Sequence, residues 1–312
     1  MSNEYDIIII GGGGAGLTAA LYSARANFKT LLFEKTVFGG QIAKTGLVEN
    51  FPGFPDGVTG FDIAMKMEEQ AKKYGALMLH QEVTKLSKDG ERFSVVTDEG
   101  LFYSKAVILA MGANFRMLDV RGEIEYTGKG VSYCAMCDAP FFRNKTVVVV
   151  GGGNAAIQEA LFLTEFVKQL YVVHRRDELR AGHVLGERAK KNEKIDFIWD
   201  SVITEIKGGS TVEKVIVKNV KTEKVQEIAT DGVFIFIGHD PASGLVEGVI
   251  DCADGGYVKT DDRLQTSLAG VFACGEIRSG ATWQLVAACG EGCQAALSVQ
   301  EYLGEIKNKQ MV

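Results

Sequence analysis

The chain has 312 residues, of which 46% are hydrophobic and 24% charged, so it is neither disordered nor collagen-like and can bury a large core in one or two domains. Its net charge is −6 and its basic residues alternate with acidic ones, which argues against nucleic-acid binding. The longest uncharged run, residues 7–24, contains five glycines and predicts a strand, turn and helix rather than a membrane span. Because the N-terminus lacks the features of a signal peptide, we expect a cytoplasmic protein.

The first motif has the pattern of a nucleotide-binding strand, turn and helix. Residues 5–10 predict a buried parallel strand, and an apolar helical stripe follows the glycines. Gly11, Gly13 and Gly16 fit the pattern G-x-G-x-x-G, which brings a helix N-terminus against a pyrophosphate. Glu34 ends the next predicted strand, where a carboxylate can accept hydrogen bonds from ribose hydroxyls. The pattern therefore predicts a dinucleotide site.

Further predicted strands follow this first unit. Residues 82–110 predict an antiparallel meander and an apolar closing strand. Residues 201–237 show the same pattern of predicted strands. The polar, glycine-containing stretches 112–122 and 238–244 are the predicted interdomain crossings. Residues 251–312 should complete the first domain, so one domain is predicted to be inserted in another.

A second nucleotide-type unit begins midway, inside the predicted insertion. Residues 146–150 predict its first strand, and three residues then match the same fingerprint: Gly151, Gly153 and Ala156. Four basic residues follow the next predicted strand: His174, Arg175, Arg176 and Arg180. Guanidinium groups bind a 2′-phosphate bidentately, whereas a carboxylate would repel it. The unit is therefore predicted to prefer NADPH to NADH, the alternative being a solvated basic surface patch.

A close cysteine pair, Cys134 and Cys137, precedes Asp138 within the predicted insertion. Cysteines three apart at a helix start can form a redox-active disulfide, and the helix dipole lowers the pKa of a thiol there. One alternative is half of a zinc site, but this would need two more ligands, which only Cys289 and Cys293 offer at a suitable spacing. The other alternative is that both cysteines are inert core residues. We favour the redox pair and expect no metal. Asp138 either caps the helix or protonates the departing thiolate.

Eight ordered motifs span nearly the whole chain: GGGGAGLTAALYSARA (11–26), GGQ (39–41), VENFPGFP (48–55), CAMCD (134–138), GGGNAA (151–156), HRRDELR (174–180), GVFIFIGHDP (232–241) and GEGCQAAL (290–297). Together they resemble the low-molecular-weight, FAD-containing thioredoxin reductases.

The resemblance implies an α/β fold with two Rossmann-like, three-layer ββα nucleotide-binding domains. An FAD domain would comprise residues 1–113 and 241–312, and the inserted NADPH domain, residues 114–240, would carry the cysteines. Electrons would pass from NADPH to FAD, then to the Cys134–Cys137 disulfide, then to thioredoxin. Cys137 would face the flavin, Cys134 would attack thioredoxin, and Asp138 would donate the proton.

The resemblance also implies a homodimer and a rotation of the NADPH domain relative to the FAD domain. The predicted crossings near Gly112 and Gly238 are the candidate hinges. The residues expected to bind FAD are Gly11, Gly13, Gly16, Glu34, Gly40, Gln41, Asn50, Gly112, Gly275, Glu276 and Gln284. Those expected to bind NADPH are Gly151, Gly153, Asn154, Ala156, His174, Arg175, Arg176 and Arg180.

Three positions near the expected flavin depart from the family pattern. Met111 replaces a threonine, Glu276 replaces an aspartate, and Trp283 stands where an arginine reaches the flavin. Losing that arginine removes a positive charge near the reduced flavin, so an altered flavin potential is expected. Two alternatives therefore stay open: a ferredoxin-linked or oxygen-using dithiol flavoenzyme of the same fold, and a non-catalytic flavin-binding redox sensor. The HRRDELR motif argues against the first.

Overall fold

The computed structural model describes residues 3–310. The chain divides into two compact units, one formed by residues up to 114 together with those from 240 onward, and one formed by residues 115–239. The second unit is thus inserted in the first. Within residues 3–310, no helix combines the length and the apolar character needed to cross a bilayer.

The N-terminal segment forms the elements β1 (Glu4–Ile10), α1 (Gly14–Arg25), β2 (Thr30–Glu34), a 3-10 helix (Ile42–Lys44), β3 (Leu47–Val48), β4 (Val58–Thr59), α2 (Gly60–Lys73), β5 (Leu77–His80), β6 (Val83–Asp89), β7 (Arg92–Thr97), β8 (Leu101–Leu109) and β9 (Ala113–Phe115).

The inserted segment continues with β10 (Val131–Ser132), α3 (Ala135–Asp138), a 3-10 helix (Ala139–Phe142), β11 (Thr146–Val150), α4 (Asn154–Leu163), β12 (Gln169–Val173), α5 (His183–Lys190), β13 (Ile195–Ile198), β14 (Ser201–Gly208), β15 (Val212–Asn219), β16 (Val225–Ala229) and β17 (Gly232–Ile235). The C-terminal segment forms β18 (His239–Pro241), a 3-10 helix (Gly244–Val246), β19 (Val271–Ala273) and α6 (Leu285–Gln310).

The first unit is built on a seven-stranded sheet in the order β5-β2-β1-β8-β7-β6, with β19 also paired to β8. Strands β1, β2, β5, β8 and β19 run parallel, while β6, β7 and β8 form an antiparallel meander. Side chains alternate across a strand, so Ile7 and Ile9 pack in the helix-covered core while Ile8 and Ile10 pack with Phe93 on the other face. Burial on both faces explains the continuous apolar run of β1.

The second unit has a five-stranded parallel sheet in the order β10-β17-β11-β12-β13 and an antiparallel sheet β14-β15-β16. Val147 and Val149 of β11 pack with Ile157 of α4, whereas Val148 and Val150 pack with the antiparallel sheet. The parallel sheet therefore lies between a helical layer and a second sheet. This three-layer arrangement confirms the prediction of Rossmann-like α/β units, one inserted in the other.

Candidate active site

The first glycine loop closes a tight turn between β1 and α1. Gly11 has a φ of +103°, and a Cβ there would lie 2.4 Å from the Ala110 carbonyl oxygen, so only glycine fits. α1 begins at Gly14 with Gly13 as its N-cap, and no side chain caps it. Apart from its own chain neighbours, no described residue comes within 4 Å of where a Cβ of Gly13 would be. The uncapped helix end beside open space fits a pyrophosphate.

Glu34 lies beside this loop, at the end of β2, and is only 9% exposed. Its Oε2 accepts a hydrogen bond from the Gly12 N–H at 2.8 Å. Its Oε1 accepts from the Thr36 N–H and hydroxyl at 2.8 and 2.9 Å. These bonds orient the carboxylate, and its remaining lone pairs stay available to a ribose hydroxyl.

The structure brings together several other residues that the sequence predicts to bind FAD. Gly40 lies against Gly13, whose Cα would be 3.2 Å from a Cβ on Gly40. Asn50 Nδ2 donates to Gln284 Oε1 at 3.0 Å, across 234 residues of sequence. The first unit thus joins residues from both ends of the chain.

Gly112 lies between β8 and β9, and Gln41, the N-cap of the 3-10 helix of residues 42–44, reaches the same place. Gln41 Nε2 donates to the Ala113 carbonyl oxygen, and Gly112 O accepts from the Ala242 N–H at 3.0 Å. Met111 packs at the edge of the second core cluster of this unit. The ring of Trp283 meets that of Tyr257 edge-on, with centroids 6.3 Å apart.

Gly275 and Glu276 follow β19 in a turn that is held by an ion pair, which the sequence analysis missed. Arg278 forms two bonds to Glu291 of α6, Nη2 to Oε1 at 2.7 Å and Nε to Oε2 at 3.0 Å. The same Oε2 accepts from the Gly275 N–H at 2.7 Å, so the pair fastens this turn to α6. A Cβ on Gly275 would lie 3.0 Å from that of Ala15, which places the turn beside the first turn of α1.

Burial raises the pKa of Glu276 to about 7 from its ordinary value of 4.5. The raised pKa stabilises the folded protein below pH 4.5, and this contribution is lost as the pH rises through about 7. We therefore expect Glu276→Gln to increase the free energy of unfolding by about 3 kcal/mol at about pH 8 and hardly at all at about pH 4. Urea unfolding of the nucleotide-free protein measures both values. Glu305→Gln, an exposed glutamate of α6, is the control, and an equal gain at both pH values contradicts the prediction.

The second glycine loop repeats the tight turn in the inserted unit. Gly151 has a φ of +141°, and a Cβ there would lie 2.4 Å from the Phe236 carbonyl oxygen and 2.7 Å from the Cβ of Ala156. α4 begins at Asn154 with Gly153 as an N-cap that has no capping side chain. The uncapped N-terminus again suits a phosphate group.

The basic segment that follows β12 lies against this second loop. The ring of His174 would be 2.4 Å from a Cβ on Gly152, and the Arg180 N–H donates to Gly152 O at 2.8 Å. Asn154 Oδ1 accepts from the Gly182 N–H at 2.8 Å. Local spacing and long-range hydrogen bonds thus bring the predicted NADPH-binding residues to one place.

His174 is only 4% exposed, and its Nε2 has no hydrogen-bond partner among the described residues. Burial lowers its pKa, opposed by a hydrogen bond to the Glu178 backbone, and Arg180, Arg176 and Arg175 lower it further. The three arginines are themselves exposed. A neutral, buried imidazole beside exposed guanidinium groups fits the adenosine end of a phosphorylated dinucleotide.

Cys134 and Cys137 are joined by a disulfide at the start of α3. Cys134 is the N-cap, and its Sγ accepts a hydrogen bond from the Cys137 N–H at 3.2 Å. Both cysteines are partly exposed, so the disulfide is accessible. The bonded pair agrees with the redox interpretation rather than with a pair of metal ligands.

Asp138 is the last residue of α3. Burial raises the pKa of its carboxyl group, and a hydrogen bond from the Ser132 hydroxyl opposes that rise. Ser132 Oγ donates to Asp138 Oδ2 at 2.5 Å. A carboxyl group whose pKa is raised beside a disulfide can serve as a proton donor.

Tyr133 anchors the strand end that leads into the cysteine pair, a role that the sequence analysis missed. Its hydroxyl donates to Glu123 Oε1 at 2.9 Å, and its ring stacks on Phe115 with centroids 4.9 Å apart. Glu123 is 1% exposed and also accepts from the N–H groups of Leu118 and Asp119 at 2.9 and 2.8 Å. Burial and Glu123 raise the pKa of Tyr133, which therefore remains a neutral donor. Nothing in the local sequence marks Glu123 as its partner.

Known proteins match this chain over nearly its full length. The family model for pyridine nucleotide-disulphide oxidoreductases matches residues 5–292. The thioredoxin reductase of Peptoclostridium litorale is 45% identical over 312 residues, covering 98% of this chain and 99% of that protein.

Two solved structures extend the likeness to three dimensions. The thioredoxin reductase of Streptococcus pyogenes MGAS5005 is 43% identical, with a TM-score of 0.93 over 98% of this chain and 100% of that one. The thioredoxin reductase of Lactococcus lactis in its FR conformation is also 43% identical, with a TM-score of 0.66 over 96% of this chain and 99% of that one. These matches confirm the resemblance seen in the sequence and the prediction of a redox enzyme. The chain belongs to the thioredoxin reductases within the pyridine nucleotide-disulphide oxidoreductase family.

Proposed function

We propose that the protein is an NADPH-dependent thioredoxin-disulfide reductase that passes electrons from NADPH through FAD to the Cys134–Cys137 disulfide and on to thioredoxin. The observation that carries the proposal is an accessible disulfide beside a carboxyl group of raised pKa. The same unit holds an uncapped glycine loop beside exposed arginines.

FAD would be held in the first unit and would supply two-electron chemistry between a nicotinamide and a disulfide. The residues proposed to hold it are Gly11, Gly13, Gly16, Glu34, Gly40, Gln41, Asn50, Gly112, Gly275, Glu276 and Gln284. The uncapped α1 and the open space at Gly13 support this assignment. NADPH would bind the second unit through Gly151, Gly153, Asn154, Ala156, His174, Arg175, Arg176 and Arg180.

The reduced cysteine pair would act by thiol–disulfide exchange. The Cys137 N–H, which donates to Cys134 Sγ, favours a thiolate on Cys134 and makes it the attacking sulfur. Cys134 would bond to one thioredoxin sulfur as the thioredoxin S–S bond breaks. Cys137 would then attack Cys134, releasing thioredoxin as a dithiol and restoring the Cys134–Cys137 bond.

Asp138 is proposed to move the proton that this cycle requires. When the Cys134–Cys137 bond is reduced, its carboxyl group would protonate the sulfur that leaves, and the carboxylate would later take a proton back. We expect Asp138→Asn to slow turnover with thioredoxin by about 10²-fold or more while the rate of flavin reduction by NADPH stays unchanged. Stopped-flow and steady-state assays measure the two rates. A normal turnover would contradict the proton-transfer role of Asp138.

Thioredoxin is the proposed protein substrate, and apolar side chains flank the disulfide that would receive it. Met136, between the two cysteines, is 56% exposed, and Phe141 is 44% exposed. Exposed apolar groups around a reactive pair are typical of a protein-docking surface.

A homodimer is also proposed, through an apolar face of the first unit. α1 packs against both α2 and α6. These helices expose large apolar side chains, namely Tyr22, Phe61, Met65, Val286 and Leu297. We expect the wild-type protein to sediment as a dimer, and Met65→Glu with Leu297→Glu to shift it toward monomer. Ile124→Glu, which changes an exposed side chain of the other unit, is the control. A monomeric wild type would refute the proposal.

Rotation of one unit relative to the other is proposed for the catalytic cycle. A disulfide pressed on the flavin would exclude both nicotinamide and a protein substrate, so one rigid arrangement cannot serve both half-reactions. A cytoplasmic location is proposed because the other four cysteines are free thiols, as in a reducing compartment.

The decisive experiment is anaerobic titration of the purified flavoprotein with NADPH, followed by addition of thioredoxin. NADPH is expected to bleach the visible flavin absorbance, and thioredoxin disulfide to restore it. No bleaching by NADPH would favour a ferredoxin-linked or oxygen-using enzyme. Bleaching without any transfer to thioredoxin would favour the redox sensor.

A further inference from the structure

The hydroxyl of Ser132 is the centre of the hydrogen bonds around the cysteine pair. Ser132 ends β10 and is 4% exposed. Its Oγ accepts from the Cys134 N–H at 3.1 Å and donates to Asp138 Oδ2 at 2.5 Å. The Cys134 carbonyl oxygen lies within 3.3 Å as a second acceptor. One side chain thus connects the backbone of the first cysteine to the carboxyl group.

This geometry provides hydrogen bonds for both protonation states of Asp138. A hydroxyl group has one proton to donate and lone pairs that accept. With Asp138 ionised, the Ser132 proton points to Oδ2. With a proton on Oδ2, Asp138 can donate to Ser132 Oγ, and the Ser132 proton can turn to the Cys134 carbonyl oxygen. Both polar groups remain paired in either state.

Such pairing matters because the carboxyl group is largely shielded from water. An unpaired buried polar group costs free energy in whichever protonation state lacks a partner. Burial raises the pKa of Asp138, and Ser132 is the hydrogen bond that lowers it.

The elements around Asp138 add few other charges. α4, which packs against α3, carries Glu159 as its one charged residue, and burial raises the pKa of that carboxyl group too. The 3-10 helix of residues 139–142 has no charged residue, and Arg143 follows it. The remaining titratable neighbours along the chain are Tyr133, hydrogen-bonded to Glu123, and the two cysteines themselves.

We propose that Ser132 is a positioning residue that holds the Asp138 carboxyl group in place while it gains and loses its proton during disulfide reduction. The proposal rests on the proposed function for its role in turnover. The hydrogen bonds themselves do not depend on the identity of the protein substrate.

The test is an infrared titration of Asp138 in the oxidised holoprotein, with the protonated carboxyl band assigned by its loss in Asp138→Asn. We expect Ser132→Ala to move the midpoint of this band to higher pH, because the ionised carboxylate loses a donor. Ser132→Thr keeps the hydroxyl and should titrate like the wild type. An unchanged midpoint in Ser132→Ala would overturn the proposal.

Turnover provides the second readout. With NADPH and thioredoxin, Ser132→Ala should turn over at least about threefold more slowly, and the pH at which the rate falls should move upward with the infrared midpoint. Flavin reduction by NADPH should keep its rate. A purely structural role would lower the rate by one factor at every pH, which would also refute the proposal.

Matched variants separate the effect of losing the Ser132 hydroxyl group from the effect of changed packing. Threonine and valine have nearly the same shape, so Ser132→Thr against Ser132→Val isolates the hydroxyl if the alanine variant does not fold. Thr230→Val, another buried hydroxyl of this unit, which donates to the backbone of Thr146 and Gly232, is the control and should shift neither midpoint nor rate. If the wild type does not reduce thioredoxin but the infrared midpoint still shifts, the proposed function fails and the Ser132 contact stands.

Discussion

Cys134→Ser is expected to abolish reduction of thioredoxin, by at least about 10³-fold, while flavin reduction by NADPH continues at its normal rate. Thiol–disulfide exchange requires a thiolate, and a serine hydroxyl neither ionises near neutral pH nor forms the mixed disulfide. The substitution is nearly isosteric, so Cys137 and the Ser132 contact to the backbone of residue 134 should persist. An insulin-coupled turnover assay and anaerobic stopped-flow measurements give the two rates.

The matched control for this variant is Cys252→Ser. Cys252 is a free, partly exposed thiol of the first unit whose Sγ contacts the Ile250 carbonyl oxygen at 3.5 Å. Its replacement should leave thioredoxin turnover unchanged. Turnover that survives in Cys134→Ser would show that another sulfur attacks thioredoxin and that the two cysteines are assigned the wrong way round.

Arg175→Ala combined with Arg176→Ala should raise the KM for NADPH by about 10²-fold, or about 3 kcal/mol, and affect NADH far less. Both side chains are exposed at the end of β12, where charge-assisted hydrogen bonds to a 2′-phosphate would form. NADH has no such phosphate, so it provides the internal comparison. Steady-state kinetics with each nucleotide measures the change.

Two further variants sharpen the interpretation of this result. Arg175→Lys with Arg176→Lys keeps the charge but loses the bidentate fork, so an intermediate KM for NADPH is expected. Arg121→Ala removes an exposed arginine of the same unit that pairs with Glu205 at 3.5 Å, and it should change neither KM. Equal losses for NADPH and NADH would show that the arginines do not recognise the 2′-phosphate.

The two glycine loops are features that the local sequence alone predicts. The strand, the turn and the helix start are adjacent in the chain, and the positive φ values of Gly11 and Gly151 are local backbone conformations that favour glycine. The same holds for Cys134 and Cys137, whose Cα atoms are 5.3 Å apart at the start of a helix, within the reach of a disulfide. Predictions of this kind depend on a few bonds and need no knowledge of the packed chain.

The contacts that complete these sites depend on packing between distant segments. Asn50 meets Gln284 because Leu285, the first residue of α6, packs against the cluster around Val48. Glu291 of α6 reaches Gly275 and Arg278 because α6 packs against β19. Glu123 shows no local signal at all, since its importance comes from complete burial beside Tyr133. The pKa values of Asp138 and Glu276 are likewise consequences of burial, which periodicity alone does not predict.

The amino-acid sequence by itself therefore determined the two nucleotide-type units, the position of the cysteine pair and the order in which they follow one another. These features repeat at short, covalently fixed spacings. Only the tertiary structure decided that Glu123 is buried beside the Tyr133 hydroxyl and that an arginine–glutamate pair fastens the turn at Gly275. Hydrogen bonds of this kind and the loss of solvent around a carboxyl group arise when separate elements pack, and their energies depend on that packing rather than on neighbours in the chain.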